Sequence, residues 1–107
     1  MPEHLNGLVA ATHTPLTPDG ELNLDVLPQL VDHLVADGVR AMFVNGSTGE
    51  GVLLTREERQ AAAEAFVQAA KGRLTVIVHV GHDAIRDAQR LAEHAQAAGA
   101  DAVGAMP

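Results

Sequence analysis

Three times in succession this chain runs from a short apolar stretch into a helical stripe that closes on glycine. That repeat restricts the fold more than any other feature. Leu8–Thr12, Ala41–Val44, Leu74–Val80 and Ala102–Met106 are apolar almost throughout. Between them, Leu27, Leu30, Val31, Leu34 and Val35 recur at helical spacing, as do Ala62, Ala63, Phe66, Val67 and Ala70. Ile85, Ala88, Leu91, Ala92 and Ala95 form a third stripe, and Gly38, Gly72 and Gly99 stand just past the respective helix ends. The order is β-α-β-α-β-α-β, an α/β chain. Such alternation makes a parallel sheet with right-handed crossovers, and the apolar runs suit strands covered on both faces. Two architectures remain open on this pattern. One is a small doubly wound sheet with helices on both faces; the other is half of an eight-stranded barrel, and a repeat of roughly thirty residues suits either.

The boundaries carry their own signals. Pro18-Asp19-Gly20 marks a tight turn after the first strand. Asp25 is expected to cap the first helix in preference to Asn23, placing Pro28 at the third helical position, where it removes no intrahelical bond. Thr55-Arg-Glu-Glu58 is a capping-box pattern for the second helix, which Lys71 and Gly72 close. Asp83 is the expected cap of the third helix. The last residue, Pro107, follows an apolar run at a point where a functional loop would begin, so residues 1–107 read as one incomplete domain.

The most chemically informative stretch follows the second strand: Gly46-Ser47-Thr48-Gly49-Glu50-Gly51. Glycines permit close backbone approach to a ligand, and successive N–H groups with flanking hydroxyls can form an anion-binding concavity. In parallel α/β folds ligands bind at the carboxyl ends of strands, where this loop starts. An ordinary tight βα turn fits the spacing equally well. No Lys follows as in a phosphate-binding P-loop, and the glycine spacing is not that of a dinucleotide site. A net charge of −7 argues against nucleic acid as a partner, which would require clustered Lys and Arg. Cys is absent, no apolar run reaches membrane-spanning length, and the N-terminus lacks the features of a signal peptide. A cytoplasmic location away from membranes is expected. With aromatics at 2%, the core must be built from Val, Leu and Ala.

Phe43-Val-Asn-Gly-Ser-Thr-Gly-Glu50 followed by Leu53-Leu-Thr-Arg-Glu-Glu-Arg59 resembles the N-acetylneuraminate lyase and dihydrodipicolinate synthase family of class I aldolases. Thr14-Pro15-Leu16 is similar to the family's Thr-Pro-Phe after strand 1, with Leu in place of the aromatic. Val76-Ile-Val-His-Val-Gly81 is similar to its strand 3, nearer the lyase branch, and Ala98–Val103 with Met106-Pro107 resembles the approach to strand 4. The resemblance runs in register along the whole chain. It implies the first half of a (β/α)8 TIM barrel and reversible aldol cleavage or condensation, in which pyruvate or another 2-oxo acid forms a Schiff base with lysine. It further implies that the 2-oxo acid carboxylate is held by Gly46, Ser47, Thr48 and Gly49, with Thr14, Glu50 and His79 behind them. No cofactor and no metal is implied, and the full-length protein is expected to be a homo-oligomer. The family's lysine and proton-relaying tyrosine lie on later strands. This chain has no Tyr, and its one Lys is Lys71, at the far end of a helix from the loop. The resemblance therefore implies no catalytic residue within the chain, and the 107 residues are expected to be inactive alone.

Other readings belong beside this one. The loop could serve a non-catalytic small-anion binder or an interaction fragment. His13, His79 and His82 fall near the ends of strands 1 and 3, so a metal-dependent barrel enzyme is a further alternative. Glu50 is expected to hold the turn, and His33 and His94 to be solvated.

Overall fold

The computed structural model describes residues 5–106. Four strands, β1 (Val9–Ala11), β2 (Ala41–Val44), β3 (Thr75–His79) and β4 (Ala102–Gly104), alternate with α1 (Leu27–Ala36), α2 (Arg56–Ala70) and α3 (Ile85–Ala98). All neighbouring strands are parallel and lie in the order β1-β2-β3-β4. The register sets Phe43 beside Ala11 and Ile77, and His79 beside Gly104.

Side chains alternate across a strand, so this register sorts the apolar residues onto two faces. Met42, Val44, Val76, Val78 and Val80 pack with Leu27 and Val31 of α1, Ala63 and Phe66 of α2, and Leu91 and Ala95 of α3 in a single cluster. All three helices therefore cover one face. Ala41, Phe43, Thr75, Ile77 and His79 occupy the other, and among the described residues no helix lies over it. This excludes the doubly wound alternative and matches the first half of a (β/α)8 barrel. Alanine on the helices lets α2 approach both neighbours and the sheet, and Phe66 fills the middle with no exposed surface.

The turn after β1 forms as its residues dictate. Gly20 N–H bonds Thr17 C=O at 2.9 Å, Pro18 and Asp19 occupy the centre, and Gly20 adopts φ 86. The capping box at Thr55 is complete in both directions. Two expected caps are not. Asp25 lies within a 3-10 turn, Leu24–Val26, and Val26 precedes α1 with no side-chain cap, so that Pro28 becomes the second helical residue rather than the third. Asp83 does not cap α3 either: Ala84 is the boundary residue, and its N–H is taken by His82 Nδ1 at 2.9 Å. The expected strands were also longer than those formed, most clearly at β4. There Met106 N–H leaves the ladder and turns to His79 Nδ1. His94 is not simply solvated; its Nε2 sits 2.9 Å from Glu64 Oε1 and links α3 to α2.

Candidate carboxylate-binding site

β2 ends in Val44, and Asn45 then turns the chain out of the sheet at φ 65. Asparagine tolerates this left-handed conformation better than other side chains with a β-carbon. The following loop closes on its own main chain. Glu50 N–H bonds Ser47 C=O and Gly51 N–H bonds Gly46 C=O, both at 3.1 Å. The backbone rather than the carboxylate of Glu50 holds this turn, and Glu50 itself is left-handed at φ 57. Gly51 is required by contact: a β-carbon there would overlap the Asn45 carbonyl oxygen. Gly46 is similar, since a β-carbon would approach Phe43 Cε2 to 2.6 Å.

Two further anchors fix the loop from either side. Thr14, buried beyond the end of β1, donates its hydroxyl to Gly49 C=O at 2.7 Å. Asn45 donates Nδ2 to Arg59 C=O in the first turns of α2 at 2.9 Å. Gly46, Gly49 and Gly51 are consequently buried, whereas Ser47, Thr48 and Glu50 are exposed. Among the described residues, neither hydroxyl of Ser47 and Thr48 nor their backbone N–H groups has a hydrogen-bond partner. A rigid loop thus presents free donors at the carboxyl end of β2.

Arg59 is the residue that sequence reasoning missed. It is 2% exposed, and its guanidinium donates to the carbonyls of His79 and Gly81, each at 2.8 Å. Burial pushes its pKa down from the ordinary arginine value. Its Nε–H and Asn45 Oδ1 have no partner among the described residues. The available signal was position: Arg59 shares a helical face with Ala62, Ala63 and Phe66, where a solvated charge does not belong.

His79 lies at the end of β3 on the open face, against Phe43. His82 has turned toward Asp87, at 3.9 Å, and Asp87 is held by Arg56 at 2.8 Å. His13 is exposed. Among the described residues no group of three or more His, Cys, Asp or Glu side chains is placed to hold a metal ion. Lys71 ends α2, whose fifteen residues begin beside the loop; the helix is about 22 Å long at 1.5 Å per residue. A groove of about 470 Å³ lies between α1 and α2 and takes none of its lining from the β2 loop.

Comparison with known proteins agrees with the parallel half-barrel fold. Residues 4–107 match the family described as the Dihydrodipicolinate synthetase family. The N-acetylneuraminate lyase of Danio rerio is 51% identical over 104 residues, which are 95% of this chain and 34% of that protein. The Proteus mirabilis N-acetylneuraminate lyase structure superposes with a TM-score of 0.91 at 42% identity, over 94% of this chain and 34% of that one. A prophage protein of the dihydrodipicolinic acid synthase family from E. coli, solved in complex with pyruvate, gives 0.89 at 34% identity over 92% and 33%. The chain thus spans about a third of the length of the relatives it matches. With the parallel half-barrel and the match over residues 4–107 in hand, the chain belongs to the dihydrodipicolinate synthetase family.

Proposed function

We propose that this chain is the N-terminal, 2-oxo acid-binding part of a Schiff-base aldolase or lyase that cleaves or condenses pyruvate with an aldehyde. The observation that carries this reading is the set of unpartnered donors on Ser47 and Thr48, held at a strand end by buried glycines, Thr14 and Asn45. A carboxylate removed from water needs several charge-assisted bonds to offset its desolvation. Two hydroxyls and two N–H groups supply that number. The bound pyruvate in the E. coli family member supports the choice of ligand.

The reaction requires an amine that these residues do not bring to the loop. Lys71 is at the opposite end of α2, about 22 Å along the helix, too far for one side chain to span. Within residues 1–107 the site binds and orients; carbon–carbon bond chemistry needs a lysine supplied from elsewhere. Residues 1–107 are taken as a single unit of that larger protein, cytoplasmic and homo-oligomeric when full length. The exposed Val52, Leu53 and Ile85 support association. Among the described residues no helix is long and apolar enough to cross a membrane.

Pyruvate titration of residues 1–107, followed by amide NMR, tests the reading. Shifts should centre on Ser47 and Thr48. Thr48→Val should weaken binding by about 1.5–3 kcal/mol, the range for a hydrogen bond to a charged group. Unchanged affinity in that variant would exclude the cradle. Borohydride treatment with pyruvate should leave Lys71 unmodified.

A further inference from the structure

Two rings fill the space where three strand ends meet on the open face of the sheet. Phe43 and His79 stand on neighbouring strands with centroids 5.9 Å apart and planes inclined by 39°. The main chain closes on both of them. A β-carbon at Gly104 would lie 3.0 Å from Phe43 Cε1, and one at Gly81 would lie 2.5 Å from His79 Cε1. Beyond β4, Met106 N–H reaches His79 Nδ1 at 3.4 Å. From the helical side, Arg59 holds the carbonyls of His79 and Gly81, while its own carbonyl receives the Asn45 amide.

We propose that Arg59 and His79 are positioning residues for the 2-oxo acid site. Arg59 clamps the end of β3 to the helical turn that anchors Asn45, and His79, accepting through Nδ1, ties the chain leaving β4 to that same point. The inference rests on the carboxylate reading of the Ser47-Thr48 loop. It makes the ends of β2, β3 and β4 one mechanical unit, so that the loop cannot shift without disturbing the other two.

The link is open to protons. An imidazole accepts through Nδ1 only while its proton sits on Nε2; a second proton makes Nδ1 a donor facing another N–H. From β2 the ring meets Phe43, from β4 the Gly104 carbonyl and the Met106 N–H, and from α2 the Arg59 charge. Burial first, and then Arg59, push the His79 pKa below 6.5, with the Gly104 carbonyl acting in the opposite direction. Above that value the link is intact; as pH falls through the lowered value it opens and pyruvate binding weakens.

NMR titration of residues 1–107 against pH, with and without pyruvate, decides the matter. The Met106 amide and the His79 ring should titrate with one midpoint, below 6.5. Arg59→Met should move that midpoint upward. His79→Asn keeps an acceptor near the Nδ1 position without a titrating group, so its Met106 amide and its pyruvate affinity should lose their dependence on pH. His79→Leu should bind pyruvate about two- to tenfold more weakly than the unchanged chain above the midpoint, the worth of one neutral hydrogen bond, and should match it below the midpoint, where the link is open in both. A Met106 amide that ignores the His79 titration overturns the proposal, and this readout does not depend on Arg59→Met folding. Affinity in His79→Asn that still falls with pH overturns it as well. Absence of pyruvate binding at every pH would instead remove the carboxylate reading, while the Met106 response would still report whether the strand ends are coupled.

Discussion

Asn45 joins β2 to α2 through one amide. It is fully buried, left-handed at φ 65, and donates to the Arg59 carbonyl. Asn45→Ala would remove that bond and place alanine in a conformation it disfavours. The combined loss should be about 2–4 kcal/mol, read as a lower urea midpoint. Gly51→Ala should be worse, because its β-carbon meets the Asn45 carbonyl, and main chain has no rotamer to escape into. His79 adds a pH term. Its folded pKa is depressed, so the stability it contributes is present above 6.5 and is lost as pH falls through the folded value. Urea midpoints should therefore drop between neutral pH and pH values below that point, and His79→Asn should remove its share of the drop.

Among the elements, α2 and α3 differ in how their N-termini are held. Thr55 accepts from Glu58 N–H at 3.1 Å while Glu58 Oε1 accepts from Thr55 N–H at 2.9 Å, satisfying two donors at the start of α2. Thr55→Ala should cost about 1 kcal/mol. At α3 the His82 ring takes the Ala84 N–H, and Asp83 makes no cap. Asp83→Ala should therefore change stability by no more than about 0.5 kcal/mol, as for an ordinary surface substitution. Denaturation of the two variants side by side checks both. Equal losses would restore Asp83 to the capping role it was expected to have.

For the molecule as a whole, the placement of all helices on one face leaves the other uncovered among the described residues. β1 and β4 are the edges of the sheet, and Leu8, Val9 and Val103 remain exposed beside them. Unpaired strand edges next to apolar side chains favour association. Sedimentation of residues 1–107 should show concentration-dependent self-association, and Val103→Lys, which places a charge on an edge, should reduce it. A monomer that unfolds cooperatively and ignores this substitution would contradict the expectation.

Local physics determined what was readable from the sequence. Apolar runs placed the four strands and apolar periodicity the three α-helices, glycine ended the helices, and the Thr55 capping box and the Pro18-Asp19 turn formed as written because their partners lie within four residues. The Gly46–Gly51 loop was recognisable for the same reason: its turns close on themselves. Tertiary structure decided whatever depended on distant neighbours. Periodicity is the same for a helix above or below a sheet, so only the observed packing selected one face. The chain leaving β4 turns from the ladder to His79, twenty-seven residues away, through the Met106 N–H. Arg59 stands on the apolar stripe of α2, but nothing near it in the sequence names its partners. It became the buried clamp of the site only when β3 brought two backbone carbonyls within 2.8 Å of its guanidinium.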